Sequence, residues 1–278
     1  MTTAAELASG KGHKDENFPV ASILIKPEYR APIMSFYRFA RAADDIADHE
    51  TAAPDEKFDR LEAMRASLVG ESDAEPTGAA LRGALHERGL DPCHALDLLE
   101  AFRRDVTKTR YTDWDDLIDY CRVSAMPVGR FMLDIHGEDR SLWPASDALC
   151  AALQIINHLQ DCGKDYRAID RVYIPQDVLS AAGAATADLG AAAATPQLRS
   201  VIVGLAEKTQ ELLAISAPFA RGIRDGRLAL EVAIIQRLAV SLCARLCRLD
   251  PLADRVHHGK VKSLLLAAGA ALAHISRR

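Results

Sequence analysis

Apolar residues recur along most of the chain at intervals of three and four, the spacing that places side chains on one face of an α-helix. The pattern is clear after Pro32, where Ile33, Phe36, Tyr37 and Ala40 fall on one side. No stretch alternates apolar and polar residues as a half-buried strand does. The pattern therefore predicts an all-α protein. Further helices are predicted over 55–68, 77–88, 93–105, 146–165, 198–214, 219–223 and 228–249.

Two stretches depart from this regular pattern. Residues 180–196 are rich in Ala and Gly, which is compatible with a flexible linker between domains or with a short helix and loops inside one domain. We favour the second interpretation because the helical period resumes at once. We therefore expect a flexible N-terminal segment over 1–16 and a single helical domain over 17–278. Pro127 lies inside a helical stretch and predicts a kink, since proline cannot donate the helical hydrogen bond.

Oxygen-bearing side chains repeat every four residues in two helical stretches that are far apart in the sequence. Asp44 and Asp48 form the first set, and Asn157, Asp161 and Asp165 form the second. Side chains at this spacing share a helix face, where like charges repel. A divalent cation with oxygen ligands relieves that repulsion. Turned towards each other, the two faces would form a carboxylate-lined site for Mg²⁺ and a diphosphate.

The alternative is that each set is an ordinary solvated helix face. Both stretches lie in apolar sequence, with Phe36 and Phe39 before the first and Ile155 and Ile156 before the second. Because buried carboxylates need partners, this context favours the metal site.

A further acidic group covers 113–119 and follows Thr112, which we interpret as a helix N-cap. Carboxylates in a first turn complement the helix dipole, so this group is interpreted as structural.

Composition and charge argue against several other classes of protein. The chain is 49% hydrophobic and 26% charged, with a formal net charge of −5, so it offers no general attraction for nucleic acid. Six cysteines without a CxxC pair indicate a reduced, cytoplasmic protein, in which Cys243 and Cys247 are small core residues. No Glu-x-x-His pair occurs, which argues against a carboxylate-bridged di-iron bundle.

The apolar run over 264–275 is the only candidate membrane segment. It falls short of the roughly 20 residues that cross a bilayer, so we expect a buried terminal helix. The N-terminus lacks the apolar core of a secretory signal. Together these features predict a cytoplasmic protein that contacts the membrane face only transiently.

Two motifs resemble those of a known family. The pattern Tyr37-x-x-x-Arg41-x-x-Asp44-Asp45-x-x-Asp48 resembles the first aspartate-rich motif of the squalene/phytoene synthases. The family's second aspartate-rich motif is resembled by the pattern Asn157-x-x-x-Asp161-x-x-x-Asp165, which is followed by Arg171-Val172-Tyr173-Ile174-Pro175. The resemblance runs from about Asn17 to Val261. It implies the isoprenoid-synthase helical bundle with a central pocket, and a prenyl diphosphate substrate.

Two further segments, 17–22 and 124–130, are similar to the hydroxysqualene synthase branch of this family, which serves hopanoid biosynthesis. That branch implies Mg²⁺-dependent conversion of presqualene diphosphate and water to hydroxysqualene and diphosphate, without NADPH. Two alternatives stay open: a squalene or phytoene synthase that condenses two prenyl diphosphates, and a non-catalytic partner subunit. Pathway enzymes upstream and downstream are candidate partners.

The resemblance also implies roles for individual residues. The expected metal ligands are Asp44, Asp48, Asn157, Asp161 and Asp165. The expected catalytic side chains are Tyr37, Tyr120 and Tyr173, which would donate a hydrogen bond or steady a carbocation. The expected substrate-binding residues are Phe18, Arg41, Asp45, Gln160, Lys164 and Arg171.

The residues alone allow blander interpretations of these side chains. Each tyrosine is also compatible with a core aromatic, and Arg41 with an ordinary intrahelical ion pair. For the water that quenches the carbocation, the candidate partners are Tyr120, Gln160 and Asn157, with Tyr120 preferred.

Overall fold

The computed structural model describes residues 24–49 and 51–276, so Phe18 lies outside the described residues. Twelve α-helices and no strand occur within these ranges, which confirms the all-α prediction. The helices are α1 (Pro27–Ala47), α2 (Pro54–Val69), α3 (Pro76–His86), α4 (Cys93–Thr107), α5 (Trp114–Ser124), α6 (Met126–Ile135), α7 (Trp143–Ile169), α8 (Gln176–Ala182), α9 (Pro196–Ser216), α10 (Phe219–Gly222), α11 (Gly226–Leu246) and α12 (Lys260–Ile275).

Proline begins several of these helices, where its fixed φ suits the first turn and its missing N–H costs nothing. Pro27, Pro54, Pro76 and Pro196 all occupy the first helical position. The Ala- and Gly-rich stretch contains the end of α8 and a short 3₁₀ helix over Thr186–Gly190, which confirms the expected short helix with loops.

Two local expectations need correction. Asp113, rather than Thr112, caps α5, because its carboxylate accepts the Asp116 N–H at 2.9 Å. The N-cap residue directly precedes the first helical residue, and this position is held by Asp113, immediately before Trp114. The expected kink near Pro127 is a complete break, with α5 ending at Ser124 and α6 beginning at Met126.

The chain folds into two compact units, the first of which runs to Thr107 and adds Pro127–Arg140. Its core is formed by apolar faces of α1–α4 and α6. The Phe36 ring stacks on Phe131 with centroids 4.0 Å apart. At Gly78, an added Cβ would lie 2.8 Å from the Met64 carbonyl oxygen, so α2 and α3 approach as closely as glycine allows.

The second unit comprises Lys108–Met126 and the chain from Ser141 onwards. Its long central helix, α7, packs against α5, α9 and α11 and buries Ile155 and Ile156 completely. Cys243 is also fully buried and donates its S–H to the Ala206 carbonyl, which confirms it as a small core residue, whereas Cys247 is half-buried.

The prediction of a buried terminal helix is wrong. In α12 only Ala270 is buried, and Leu264, Leu265, Leu272 and Ile275 are exposed. An apolar sequence shows that every face of a helix could be buried, but it does not show how many of those faces contact another helix. No helix in the described ranges is long and apolar enough to cross a membrane.

Candidate active site

The first acidic face lies in the first unit, at the end of α1. The Arg41 guanidinium donates a hydrogen bond from one terminal nitrogen to Asp44 and from the other to Asp45, each at 2.7 Å. The intrahelical ion pair considered from the sequence is therefore present, and it holds two neighbouring carboxylates at once. Asp45 is buried, whereas Asp44 is only half-buried. The backbone N–H of Asp48 donates to the Asp44 carbonyl at 2.9 Å, so helical geometry extends to Asp48 and keeps both carboxylates on one face.

Burial and crowding of negative charge change the acidity of this face. The pKa of Asp44 is raised to about 7, with burial as the largest cause and the Asp48 carboxylate as the next, while Arg41 opposes the rise. Asp45 and Asp105 also contribute to the raised pKa. A carboxyl group with such a pKa stands among like charges in a partly desolvated place, where a cation would bind favourably.

Asp105 is a member of this acidic group that the sequence analysis did not identify as functional. It lies near the end of α4 and is buried. Its position four residues after the buried Ala101 places it on the apolar stripe of α4, and a carboxylate on a buried stripe is the signal that could have revealed it.

The second acidic face lies in the second unit, on α7. Asn157, Asp161 and Asp165 are all half-exposed and follow one another at four-residue intervals, as predicted. Gln160 is buried, and its side-chain oxygen and nitrogen have no hydrogen-bond partner among the described residues. Lys164 is exposed. The helix thus presents a row of oxygen ligands beside an amide whose hydrogen-bonding capacity is unused.

The chain turns sharply after α7 and brings Arg171 and Tyr173 back against the unit. Asp170 adopts left-handed backbone angles with φ 50°, which aspartate tolerates better than most residues, and it pairs with Arg110 at 2.6 Å. The Val172 N–H then donates to Thr109 O at 2.9 Å, and the Gln176 N–H donates to Tyr111 O at 2.9 Å. These bonds fix the segment that carries Arg171 and Tyr173.

Three buried tyrosines meet in this unit. The ring centroids of Tyr111, Tyr120 and Tyr173 lie 5.3–5.6 Å from one another. Tyr120 and Tyr173 were predicted to be catalytic, and the structure brings them together. Tyr111 was not predicted, because its ring contacts the other two only through the backbone pairing just described. We call Tyr111, Tyr120, Tyr173 and His158 the aromatic cluster.

His158 completes the aromatic cluster from the side of α7. Its ring stacks on Tyr173 with centroids 3.4 Å apart. Burial, helped by the nearby Arg171 guanidinium, lowers the pKa of His158 to about 3, so the imidazole is neutral at physiological pH. Its Nε2 atom is buried and makes no hydrogen bond within the described part of the chain. Arg171 is also buried and reaches the Tyr173 hydroxyl at 3.4 Å, a long hydrogen bond.

Tyr37 lies in the first unit, one helical turn before Arg41, and is half-buried. The structure therefore places this tyrosine on the first acidic face, and the other two predicted catalytic tyrosines in the aromatic cluster.

The donor chemistry of both acidic faces fits Mg²⁺. The side chains offer carboxylate and amide oxygens, the ligand types that this ion prefers. No three His, Cys, Asp or Glu side chains in the described ranges are arranged to hold a metal ion by themselves.

A large cavity of the second unit lies elsewhere. It has a volume of about 840 Å³ and is lined by residues of α9, α10, α11 and α12, none of which is a predicted site residue. The central pocket implied by the family stays a prediction.

A family profile described as squalene/phytoene synthase matches residues 11–262, across both compact units. The hydroxysqualene synthase of Zymomonas mobilis is 58% identical over 270 residues, which cover 96% of this chain and 91% of the relative. The hydroxysqualene synthase of Rhodopseudomonas palustris is 55% identical over 100% of this chain and 95% of its own length.

A solved structure agrees with this similarity. The crystal structure of a squalene synthase from Alicyclobacillus acidocaldarius aligns with a TM-score of 0.75 at 33% identity, covering 88% of this chain and 92% of that one. Sequence and fold thus agree over nearly the whole molecule. The chain is an enzyme of the squalene/phytoene synthase family.

Proposed function

We propose that this enzyme converts presqualene diphosphate and water to hydroxysqualene and diphosphate in a Mg²⁺-dependent reaction. The observation that carries the proposal is the 55–58% identity to two hydroxysqualene synthases over nearly the entire chain. A reaction of this kind serves squalene and hopanoid biosynthesis, and hydride from NADPH is not required.

The two acidic faces support the diphosphate-binding part of the proposal. We assign Asp44 and Asp48 on α1, and Asn157, Asp161 and Asp165 on α7, as Mg²⁺ ligands. When bound, Mg²⁺ would neutralise the leaving diphosphate as a Lewis acid.

Charged side chains near the acidic faces have supporting roles. Arg41 braces Asp44 and Asp45 through its two ion pairs. Arg171 supplies a guanidinium, which suits bidentate contact with phosphate, and Lys164 adds an exposed positive charge. These groups would bind the diphosphate and orient it for departure.

The aromatic cluster supports the carbocation part of the proposal. When the carbon–oxygen bond to diphosphate breaks, the electron pair leaves with diphosphate and the hydrocarbon becomes a cation. The faces of Tyr120 and Tyr173 would steady that cation by cation–π attraction. Tyr37 would donate a hydrogen bond to the departing oxygen.

Capture of the cation requires one positioned water. Its oxygen forms the new carbon–oxygen bond, and one of its protons passes to diphosphate or solvent. The Tyr120 hydroxyl is our first choice to hold this water. The unused amide of Gln160 and the neutral Nε2 of His158 are further hydrogen-bonding groups on α7.

The second candidate is a squalene or phytoene synthase that condenses two prenyl diphosphates. The similarity to a squalene synthase at 33% identity is the observation that favours it. The two functions differ in their products: a squalene or phytoene synthase gives a hydrocarbon, and a squalene synthase needs hydride to form it, whereas the proposed reaction adds water and gives an alcohol.

Product analysis tests the proposal. Purified protein is incubated with Mg²⁺ and presqualene diphosphate in ¹⁸O-water, with and without NADPH, and the products are analysed by mass spectrometry. We expect an alcohol that carries the solvent label, at a rate that NADPH does not change. Squalene formed only with NADPH would assign the second candidate function, and an unlabelled alcohol would refute capture by water.

The substrate and product are long hydrocarbons, so the proposal includes transient contact with the cytoplasmic face of the membrane. Transfer to and from neighbouring pathway enzymes would occur at the same surface.

A further inference from the structure

Helix α12 exposes an apolar face that no described residue of the second unit covers. Its inner stripe, which includes Leu266 and Ala270, faces α11 and the cavity. The opposite stripe is also apolar, with residues that are 67–75% exposed. These residues are Val261, Leu264, Leu272 and Ile275.

The composition of α12 makes this exposure unusual for a helix in water. No charged residue occurs between Lys262 and the last residue of the helix, Ile275. A helix that is apolar on all sides is normally buried on all sides. We therefore expect a binding partner to cover the outer stripe of α12 in the functional state of the protein.

Positive charge borders this apolar face at the start of α12, where Lys260 and Lys262 are both exposed. Neither lysine forms an ion pair with a described residue. The exposed cations thus lie where an anionic partner would meet the helix.

The cavity beside α12 continues the same chemistry. Its apolar lining includes Leu213, Val240 and Leu265, and Arg221 and Arg237 also line it. Both guanidinium groups lack an ion-pair partner in the described ranges. An apolar groove edged by such arginines matches the acyl chains and phosphate of an anionic lipid.

We propose that the outer stripe of α12 docks on an anionic bilayer surface, with the helix lying in the membrane plane. The helix has 16 residues and is therefore about 24 Å long, which is too short to cross a hydrocarbon core of about 30 Å. Its leucines would enter the headgroup and acyl boundary, and its flanking cations would pair with lipid phosphates, as in other interfacial helices.

A second copy of the chain fits this face less well. A helix about 24 Å long and about 10 Å wide offers about 240 Å², far below the roughly 800 Å² per partner of a stable interface. Lys260 and Lys262 are exposed at the start of the helix, so two copies paired in parallel through α12 would also repel.

The inference rests on the proposed function for its biological sense, because a membrane-borne hydrocarbon must reach the enzyme. Its test needs no substrate, so failure of one proposal is distinguishable from failure of the other.

Vesicle flotation tests the docking surface with the full-length protein. Vesicles contain phosphatidylcholine alone, or phosphatidylcholine and phosphatidylglycerol in equal parts. We expect binding only to the vesicles with phosphatidylglycerol, and release by high salt. The double variant Leu264→Gln/Leu272→Gln should bind at least about tenfold more weakly, because it removes apolar contact without changing charge. Lys260→Gln/Lys262→Gln should also weaken binding on the order of tenfold or more.

The matched control is Val69→Gln, which changes an exposed apolar residue at the end of α2 and should leave binding unchanged. Circular dichroism should be normal in all three variants. Failure of the unchanged protein to float with anionic vesicles would overturn the proposal, as would equal binding by the leucine variant. A dimer that the leucine variant dissociates, in a protein that binds no vesicles, would assign the face to a second copy instead.

Discussion

The imidazole of His158 lies flat on the ring of Tyr173, with centroids 3.4 Å apart and planes 14° from parallel. Both rings are buried, and the pKa of His158 is lowered to about 3 by burial and by Arg171. The aromatic cluster therefore contains a neutral imidazole that cannot become charged without loss of folding free energy.

The lowered pKa of His158 makes the folded protein less stable in acid. Between about pH 6.5 and about pH 3 the unfolded chain binds a proton at His158 that the folded chain does not, so the free energy of unfolding falls as pH falls. His158→Phe keeps a stacked ring and removes the titration. We expect its unfolding free energy to fall less steeply with acid, by about 1.4 kcal/mol per pH unit below about pH 6.

Urea unfolding between about pH 7 and about pH 5 measures this slope. His86→Phe is the control, because it replaces an exposed histidine in the same way. An identical slope in His158→Phe and the unchanged protein would contradict a neutral buried imidazole.

The pKa shift of Asp44 has the opposite effect on how stability depends on pH. Its pKa is raised to about 7 in the folded state, so the folded protein binds the extra proton between about pH 4 and about pH 7, and stability falls as pH rises through that range. Asp44→Asn should raise the melting temperature at about pH 8 in the absence of Mg²⁺, by on the order of 2 °C, since partial exposure screens the effect. At about pH 4 the two proteins should melt alike.

Differential scanning fluorimetry with and without Mg²⁺ checks this prediction. Added Mg²⁺ should raise the melting temperature of the unchanged protein more than that of Asp44→Asn. A variant that melts lower than the unchanged protein at high pH would show that the carboxylate stabilises the fold.

The acidic faces are also expected to be essential for turnover. Asp44→Asn and Asp161→Asn should each lower kcat by about 10²-fold or more, because each removes a charge that holds the ion at the leaving group. Circular dichroism should show an intact helical fold. The control is Glu100→Gln, which changes an exposed acid paired with Arg104 on α4 and should keep full activity. Near-normal turnover in both aspartate variants would refute the two-motif assignment.

Tyr120 gives a test of water capture. Tyr120→Phe keeps the ring in the aromatic cluster and removes the hydroxyl, so diphosphate release should persist while the yield of alcohol per diphosphate falls, by about tenfold. Product analysis by mass spectrometry, paired with a diphosphate assay, measures the ratio. An unchanged ratio would move the role of holding water to another group, with Gln160 tested next.

A steric prediction concerns the close approach of α2 and α3. Gly78→Ala should destabilise the protein by about 1–3 kcal/mol, because the new Cβ would meet the Met64 carbonyl oxygen at 2.8 Å. Gly83→Ala lies on the same helix with no atom within 4 Å of its Cβ position, and should stabilise by about 0.5–1 kcal/mol. Chemical denaturation of the pair measures both, and similar values for the two variants would contradict the packing.

Much of the helical order was predictable because it depends on local periodicity. The α7 ladder of Asn157, Asp161 and Asp165 follows directly from a repeat of four on a helix. Arg41 and its aspartates are likewise close in sequence, so spacing alone anticipated their ion pairs.

What sequence could not supply depends on tertiary contacts. Tyr111 joins the aromatic cluster only because the segment after Asp170 pairs with it. Asp105 lies on α4 and joins the first acidic face only because α4 packs against α1. The exposure of Leu264 and Leu272 was missed for a related reason: hydrophobicity reports what a residue would gain by burial, not whether a partner is present.

The divided composition of the first unit has a consequence for biosynthesis. When the ribosome has released the chain as far as Thr107, Phe36 still lacks the Phe131 ring and His94 still lacks the Asp134 carboxylate at 3.1 Å. Those partners emerge only after α5, which belongs to the second unit, has been made. Folding during translation therefore cannot finish the N-terminal unit first, as it does when domains are contiguous. The nascent chain must keep α1 and α4 incompletely packed until residue 140 is available.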